Sequence, residues 1–166
     1  MGQWSKEDLQ PSLLDRLTDL QPKKTRESVA QQVLSHQQYR AAVIRDLSWL
    51  LNSVSMVSVL DLEAYPEIRR SVLNYGMPDI SGHTSASIDT DRLQKAIKKI
   101  IYRFEPRIIQ NTLEVRVISD PDQMAHNSLV FEIDGVVFGQ PMPFPVRLRS
   151  ELDLECCEFS ISEQVG

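Results

Sequence analysis

The chain has little with which to build covalent or metal-held structure. Its two cysteines, Cys156 and Cys157, are adjacent. Neighbouring residues rarely meet disulfide geometry without strain, so the pair reads as thiols in a turn and no disulfide framework is expected. Histidine is also scarce. His36, His83 and His126 are widely scattered and fall in no H-E-x-x-H or Cys/His spacing, which leaves the sequence without a recognisable metal site. Long apolar runs are missing. The richest stretch, Leu47 to Leu62, is interrupted by Ser48, Asn52, Ser53, Ser55, Ser58 and Asp61, a pattern incompatible with a plain bilayer span, so no membrane insertion is expected. Lys6, Glu7 and Asp8 stand where a secretory leader would carry its apolar core, and the expected location is cytoplasmic. Positive charge is in deficit overall. A net charge of −5 argues against a general nucleic-acid binder, although Arg92, Lys95, Lys98, Lys99 and Arg103 make one local basic stretch. That stretch reads as a solvated or protein-facing surface, because nucleic acid would call for a larger positive field and stacking aromatics.

What the chain does have is enough apolar material for one core: 42% of its 166 residues are hydrophobic. The expected organisation is a flexible N-terminal segment with a short helix over 1–26, then a single domain over 27–166. In the first part, Leu13, Leu14, Leu17 and Leu20 form a short helical stripe with Ser12 as N-cap and Pro22 beyond its end. Such a helix is too short to stand alone and must pack on its own domain or on another protein. Trp4, a lone aromatic in the lead, reads as incidental.

From about Glu27 to Asn52 the pattern is helical, with Tyr39, Val43, Leu47, Leu50 and Leu51 on one face, a possible break near Ser35-His36, and Trp49 at the margin of the apolar face. Pro66 opens another helix carrying Ile68, Val72 and Tyr75, and Gly76 suits its left-handed C-terminal position. A third helix, capped by Asp89 or Asp91, places Leu93, Ile97, Ile100, Ile101 and Phe104 on one face. Period two then takes over. Leu113, Val115 and Val117 alternate with Thr112, Glu114 and Arg116, and Leu129, Phe131 and Ile133 with Val130, Glu132 and Asp134. A bulge is expected at Asp134-Gly135, a further strand from Phe144 to Glu151, and a last one after the Cys156-Cys157 turn. Helices followed by a meander give an α+β domain in which the amphipathic helix packs on an antiparallel sheet.

The most telling residues are Phe104-Glu105-Pro106-Arg107-Ile108, where the amphipathic helix stops and the strands begin. Pro106 ends the helix and pushes Glu105 to or past its last turn, where a carboxylate opposes the helix dipole by roughly 0.3–1 kcal/mol and needs compensation. With an extended backbone around Pro106, Glu105 and Arg107 project to the same side. The pair then offers an acceptor and a planar fork of donors to a charged protein partner, or else closes on itself as an internal ion pair. A glycosidase reading would make Glu105 the acid and Glu114, Asp120 or Asp122 the second carboxyl. Arg107 works against it by favouring the ionised form of its neighbour.

This corner resembles the TssE family of type VI secretion baseplates, related to the lysozyme-like wedge protein of contractile phage tails. The resemblance extends along the chain through Ser12-Leu13-Leu14-Asp15-Arg16-Leu17, Asp46-Leu47-Ser48-Trp49-Leu50-Leu51-Asn52, Ser71-Val72-Leu73-Asn74-Tyr75-Gly76-Met77-Pro78-Asp79, Phe131-Glu132-Ile133-Asp134-Gly135 and Ser150-Glu151-Leu152-Asp153-Leu154-Glu155. Departures are local: Ile108 stands where the family usually has Leu, and Cys156-Cys157 fills a turn that often contains Gly. The resemblance implies a noncatalytic wedge component, without cofactor, in a cytoplasmic, membrane-docked baseplate. Its implied partners are TssF, TssG and TssK and the sheath proteins TssB and TssC, whose assembly it helps to begin. Glu105, Pro106 and Arg107 would dock in the wedge, and Leu13 and Leu17 would give a second contact. The competing expectations are a peptidoglycan-cleaving glycoside hydrolase, which family nickname alone does not establish, and a stand-alone interaction adaptor.

Overall fold

In the computed structural model, residues 9, 11–18, 34–82, 84, 87–118, 127–139 and 142–164 are described. Trp4, Leu20, Pro22, Asp120, Asp122 and the whole 19–33 stretch, with the expected domain boundary inside it, lie outside them. The described elements run α1 (Leu13–Leu17), α2 (His36–Leu51), α3 (Pro66–Arg70), α4 (Thr90–Phe104), then β1 (Glu114–Ile118), β2 (Ser128–Val137), β3 (Phe144–Asp153) and β4 (Glu158–Glu163). The strands form an antiparallel meander in the order β1-β2-β3-β4. Helices first and sheet afterwards make this an α+β fold, as the change of period predicts.

Helices α1, α2 and α4 begin at a side chain that accepts from one of the first N–H groups. At α2 a capping box closes: the Ser35 hydroxyl accepts from Gln38 N–H while the Gln38 side chain accepts from Ser35 N–H. The described part of the long helix therefore starts at His36, at the break the sequence hints at. Asp89 caps α4, accepting from Arg92 N–H at 2.9 Å. Pro66 occupies the first turn of α3, but that helix stops at Arg70 and a 3-10 turn over Val72–Asn74 follows. Ser71 ends it by leaving the helical region, with ψ 174, so Val72 and Tyr75 are not helical as expected. Gly76 follows the 3-10 turn with φ 112, and a Cβ there would sit 2.3 Å from the Ser53 carbonyl oxygen. Glycine is required because Ser53 and Met77 meet backbone to backbone, with Met77 N–H donating to Ser53 O at 2.7 Å.

α2 and α4 cover one face of the sheet. Val43, Leu47, Leu50, Leu93, Ile97 and Ile101 pack there against Phe131, Ile133, Leu148, Leu152 and Phe159. Each such side chain contributes about 1.5–3 kcal/mol when fully buried, so this layer holds the domain together. Strand β2 passes straight through Asp134-Gly135, pairing Asp134 with Arg147 and Gly135 with Val146. The expected bulge is absent. The glycine serves another purpose: Ile108 Cγ2 lies 3.1 Å from where its Cβ would be, so the chain leaving α4 can cross close to β2. Thr112, expected in the first strand, belongs to a 3-10 turn over Gln110–Thr112, and its hydroxyl accepts from Val136 N–H.

Both outer strands of the meander carry a side-chain amide. Asn52, just past α2, donates to Phe159 O and accepts from Phe159 N–H, each at 2.8 Å, on β4. Gln94 of α4 accepts from Val117 N–H at 3.3 Å on β1.

Candidate functional site

The turn after α4 is built from the backbone outward. Glu105 N–H completes the helix by donating to Ile101 O at 2.9 Å, and Ile108 N–H donates to Glu105 O at 3.2 Å, so Pro106 and Arg107 form a turn rather than the extended stretch expected. Next to it the chain is stitched to the end of β2: Phe138 N–H donates to Arg107 O at 2.7 Å and Ile109 N–H to Val136 O at 2.8 Å. These bonds fix the direction in which Arg107 leaves the backbone.

Glu105 and Arg107 do come together, and they close on each other. Arg107 Nε donates to Glu105 Oε1 at 2.6 Å and Nη2 to Oε2 at 2.5 Å, while Arg107 N–H adds a bond to Oε1 at 3.2 Å. Both carboxylate oxygens are thereby satisfied, which compensates a negative charge at a helix C-terminus. Glu105 is only 4% exposed and is not part of a surface patch. Pro106 is exposed and Arg107 partly so. Burial by itself lowers the Arg107 pKa, but hydrogen bonding and charge from Glu105 and then Asp46 outweigh it, and the guanidinium is held in its charged form.

The pair is one end of a longer relay that the sequence reading missed. Arg107 Nη2 also donates to Asp46 Oδ2 at 2.7 Å. Arg45 grips the other oxygen of Asp46 through Nε at 2.9 Å and Nη2 at 2.7 Å, and its Nη1 reaches Asp15 Oδ1 at 2.5 Å. Ser12, the N-cap of α1, donates to the second oxygen of Asp15 at 2.7 Å. The alternating charges thus run from the corner across α2 to α1, on which Leu13 and Leu17 stand 73% and 74% exposed. The hydrogen bond from Arg45 is the main cause that lowers the Asp15 pKa. Adjacent Arg45 and Asp46 inside a helical pattern were the only hint of this relay in the sequence; the 61-residue separation of Asp46 from Arg107 hid the rest.

Aromatic rings back the relay. Arg107 lies over Tyr39 at 5.9 Å and Arg45 over Trp49 at 4.8 Å. Burial raises the Tyr39 and Tyr75 pKa values, so both rings stay neutral beside the ion pairs. Trp49 is half-exposed on the far side of Arg45 and does not enter the core.

Glu114, a candidate second acid of the glycosidase reading, is exposed and paired with Arg116. Surface recesses among the described residues include one of about 350 Å³ beside Val57, Leu60 and Asp61 and one of about 500 Å³ beside Glu151, Asp153 and Cys156. Glu105 lines neither.

No curated protein and no solved structure matches the chain. A family model does, that of the baseplate wedge protein gp25, over residues 37–142, a span that takes in α2, the Glu105-Pro106-Arg107 corner and β2. The match covers more than half the sequence, and the chain belongs to the baseplate wedge protein gp25 family, structural components of phage-like tails that assemble with other baseplate proteins.

Proposed function

We propose that the chain is a noncatalytic wedge component of a type VI secretion baseplate, the TssE role, docked at the cytoplasmic side of the membrane with TssF, TssG and TssK. The observation that carries the docking assignment is the state of Arg107. Three of its five N–H groups are committed to Glu105 and Asp46, and among the described residues nothing accepts from Nη1. A guanidinium fixed in direction, with a pair of donors left over at a partly exposed position, suits a carbonyl or carboxylate of a partner. Glu105 acts here as the positioning residue, Pro106 as the stop that sets the turn, and the exposed Leu13 and Leu17 as a second, apolar contact.

Sheath initiation with TssB and TssC would use the meander. Phe159, Ile161 and Glu163 turn their backbone groups away from β3, since Gln164 N–H bonds back to Arg147 O and Phe159 meets Asn52. An added strand would pair there once past Asn52. The wall-cleaving alternative has no comparable support, because Glu105 is buried with both carboxylate oxygens occupied by Arg107.

The test is copurification with TssF, TssG and TssK at mild salt, using Arg107→Lys, which keeps the charge but loses the planar fork. Folding is verified by circular dichroism and thermal melting. The expected result is at least about a tenfold loss of affinity with a cooperative melt retained, the order of one charge-assisted contact pair. Undiminished recovery of all three partners by folded Arg107→Lys would refute docking through this corner.

A further inference from the structure

The outward face of α4 plays no part in the corner or in the relay. Arg92, Lys95, Lys99 and Arg103 follow one another along it at helical steps of three and four, with Lys98 one turn after Lys95, over about 16 Å of axis. None of them makes an ion pair among the described residues, nor do Arg16, Arg69, Arg70 and Arg149, but no other described element carries more than two such cations. Its carboxylates are Asp89 at the N-cap and Asp91 in the first turn, with Glu105 at the C-cap buried and committed to Arg107. Arg103, at the end of the row, is only partly exposed: its guanidinium lies over the Phe104 ring at 5.1 Å, and among the described residues its buried Nη2 has no acceptor. In a chain of net charge −5, five cations without an ion pair among the described residues thus share one helix.

We propose that this face is a docking surface for an acidic face of another protein, separate from the Arg107 corner. The occupant is fixed by charge and by range. A long polyanion such as nucleic acid samples the field of the whole molecule, which is negative, and finds a single half-exposed aromatic, Tyr102, on this face. A lipid surface would need apolar groups between the cations, and Tyr102 is again the only large one exposed on α4. A compact patch of carboxylates spaced like these cations, as on a helix with Glu four residues apart, feels mainly the charges within a Debye length of about 8–10 Å. It meets the five cations and little of the acidic remainder.

The experiment measures binding of a labelled helical peptide of about twenty residues, long enough to span the row, with glutamates at four-residue spacing. A single-stranded oligonucleotide and anionic phosphatidylserine vesicles are measured in parallel. Wild type is compared with Lys95→Glu/Lys99→Glu and with Arg69→Glu/Arg70→Glu, which changes net charge equally on α3. The expected outcome is peptide binding that weakens as salt rises from about 50 to 300 mM and falls about tenfold in the α4 variant, but less than about twofold in the α3 variant. If the glutamate variant does not fold, Lys95→Gln/Lys99→Gln replaces it, with a smaller drop of about threefold expected. Equal losses in the two variants, no peptide binding, tighter binding of oligonucleotide or vesicles at the same salt, or sedimentation showing that the face is covered by a second copy would each overturn the proposal. Arg107→Lys leaves this surface intact, so failure here and failure of the corner assignment are distinguishable.

Discussion

Removing the Arg107 side chain while keeping Glu105 isolates the energetics of the corner. In Arg107→Met the buried carboxylate loses its two guanidinium contacts and retains one backbone N–H at 3.2 Å. Breaking a buried pair by deleting one partner costs about 3–5 kcal/mol. Arg107 is 18% exposed against 4% for Glu105, so some water reaches the guanidinium side and the lower end, about 3 kcal/mol, is the better expectation. For a domain of this size that is a fall of roughly 6–12 °C in melting temperature. The companion variant Glu105→Leu/Arg107→Met removes both charges and leaves Asp46 with Arg45 as its partner. It should recover at least about 1.5 kcal/mol of the single-variant loss, because the orphaned charge is gone. Urea denaturation of wild type, both single variants and the double variant yields the coupling energy directly. A cost below about 1 kcal/mol for Arg107→Met, or additive single losses, would refute the claim that this pair organises the corner.

Further expectations concern the turn, the sheet border and α1. Cys157 has φ 58, a left-handed conformation that favours glycine, so Cys157→Gly should raise stability by about 1 kcal/mol in urea denaturation. Asn52→Ala strips two hydrogen bonds from Phe159, and a loss of about 1–3 kcal/mol is expected, with faster amide exchange at Phe159. The hydrogen bond from Arg45 depresses the Asp15 pKa below its usual 3.8, so its contribution is present above that value and disappears as the pH falls through the lower, folded-state value. Acid titration followed by NMR should therefore loosen the Leu13 and Leu17 resonances before the core melts, and Asp15→Asn should show that loosening at neutral pH.

Much of the architecture was legible because it rests on local rules. Period and capping located α4 with its start at Asp89 or Asp91, of which Asp89 is the cap, and Pro106 placed its end. What escaped depended on contacts between distant segments. Gly135 looked like a bulge because its partner in space, Ile108, is not its neighbour in sequence. The helix opened by Pro66 looked longer than it is because Val72 and Tyr75 keep helical spacing while the backbone departs at Ser71. At the corner Glu105 and Arg107 do meet, but through a turn closed by Ile108 N–H on Glu105 O and not through the extended backbone expected. Their mutual closure, and the demand of Asp46 on the same guanidinium, required the position of α2, which no local pattern supplies.

The amides at the two borders of the meander have a consequence for polymer growth. An incoming strand that pairs along the full length of either border must displace Asn52 from Phe159 on β4 or Gln94 from Val117 on β1, giving up about 1 kcal/mol for each bond removed. Isolated molecules thus meet a threshold against stacking edge upon edge, and only a strand presented in register and at high local concentration gains enough in later rungs to cross it. Templating by such a sheet would be conditional, waiting for a neighbour to be held in place first.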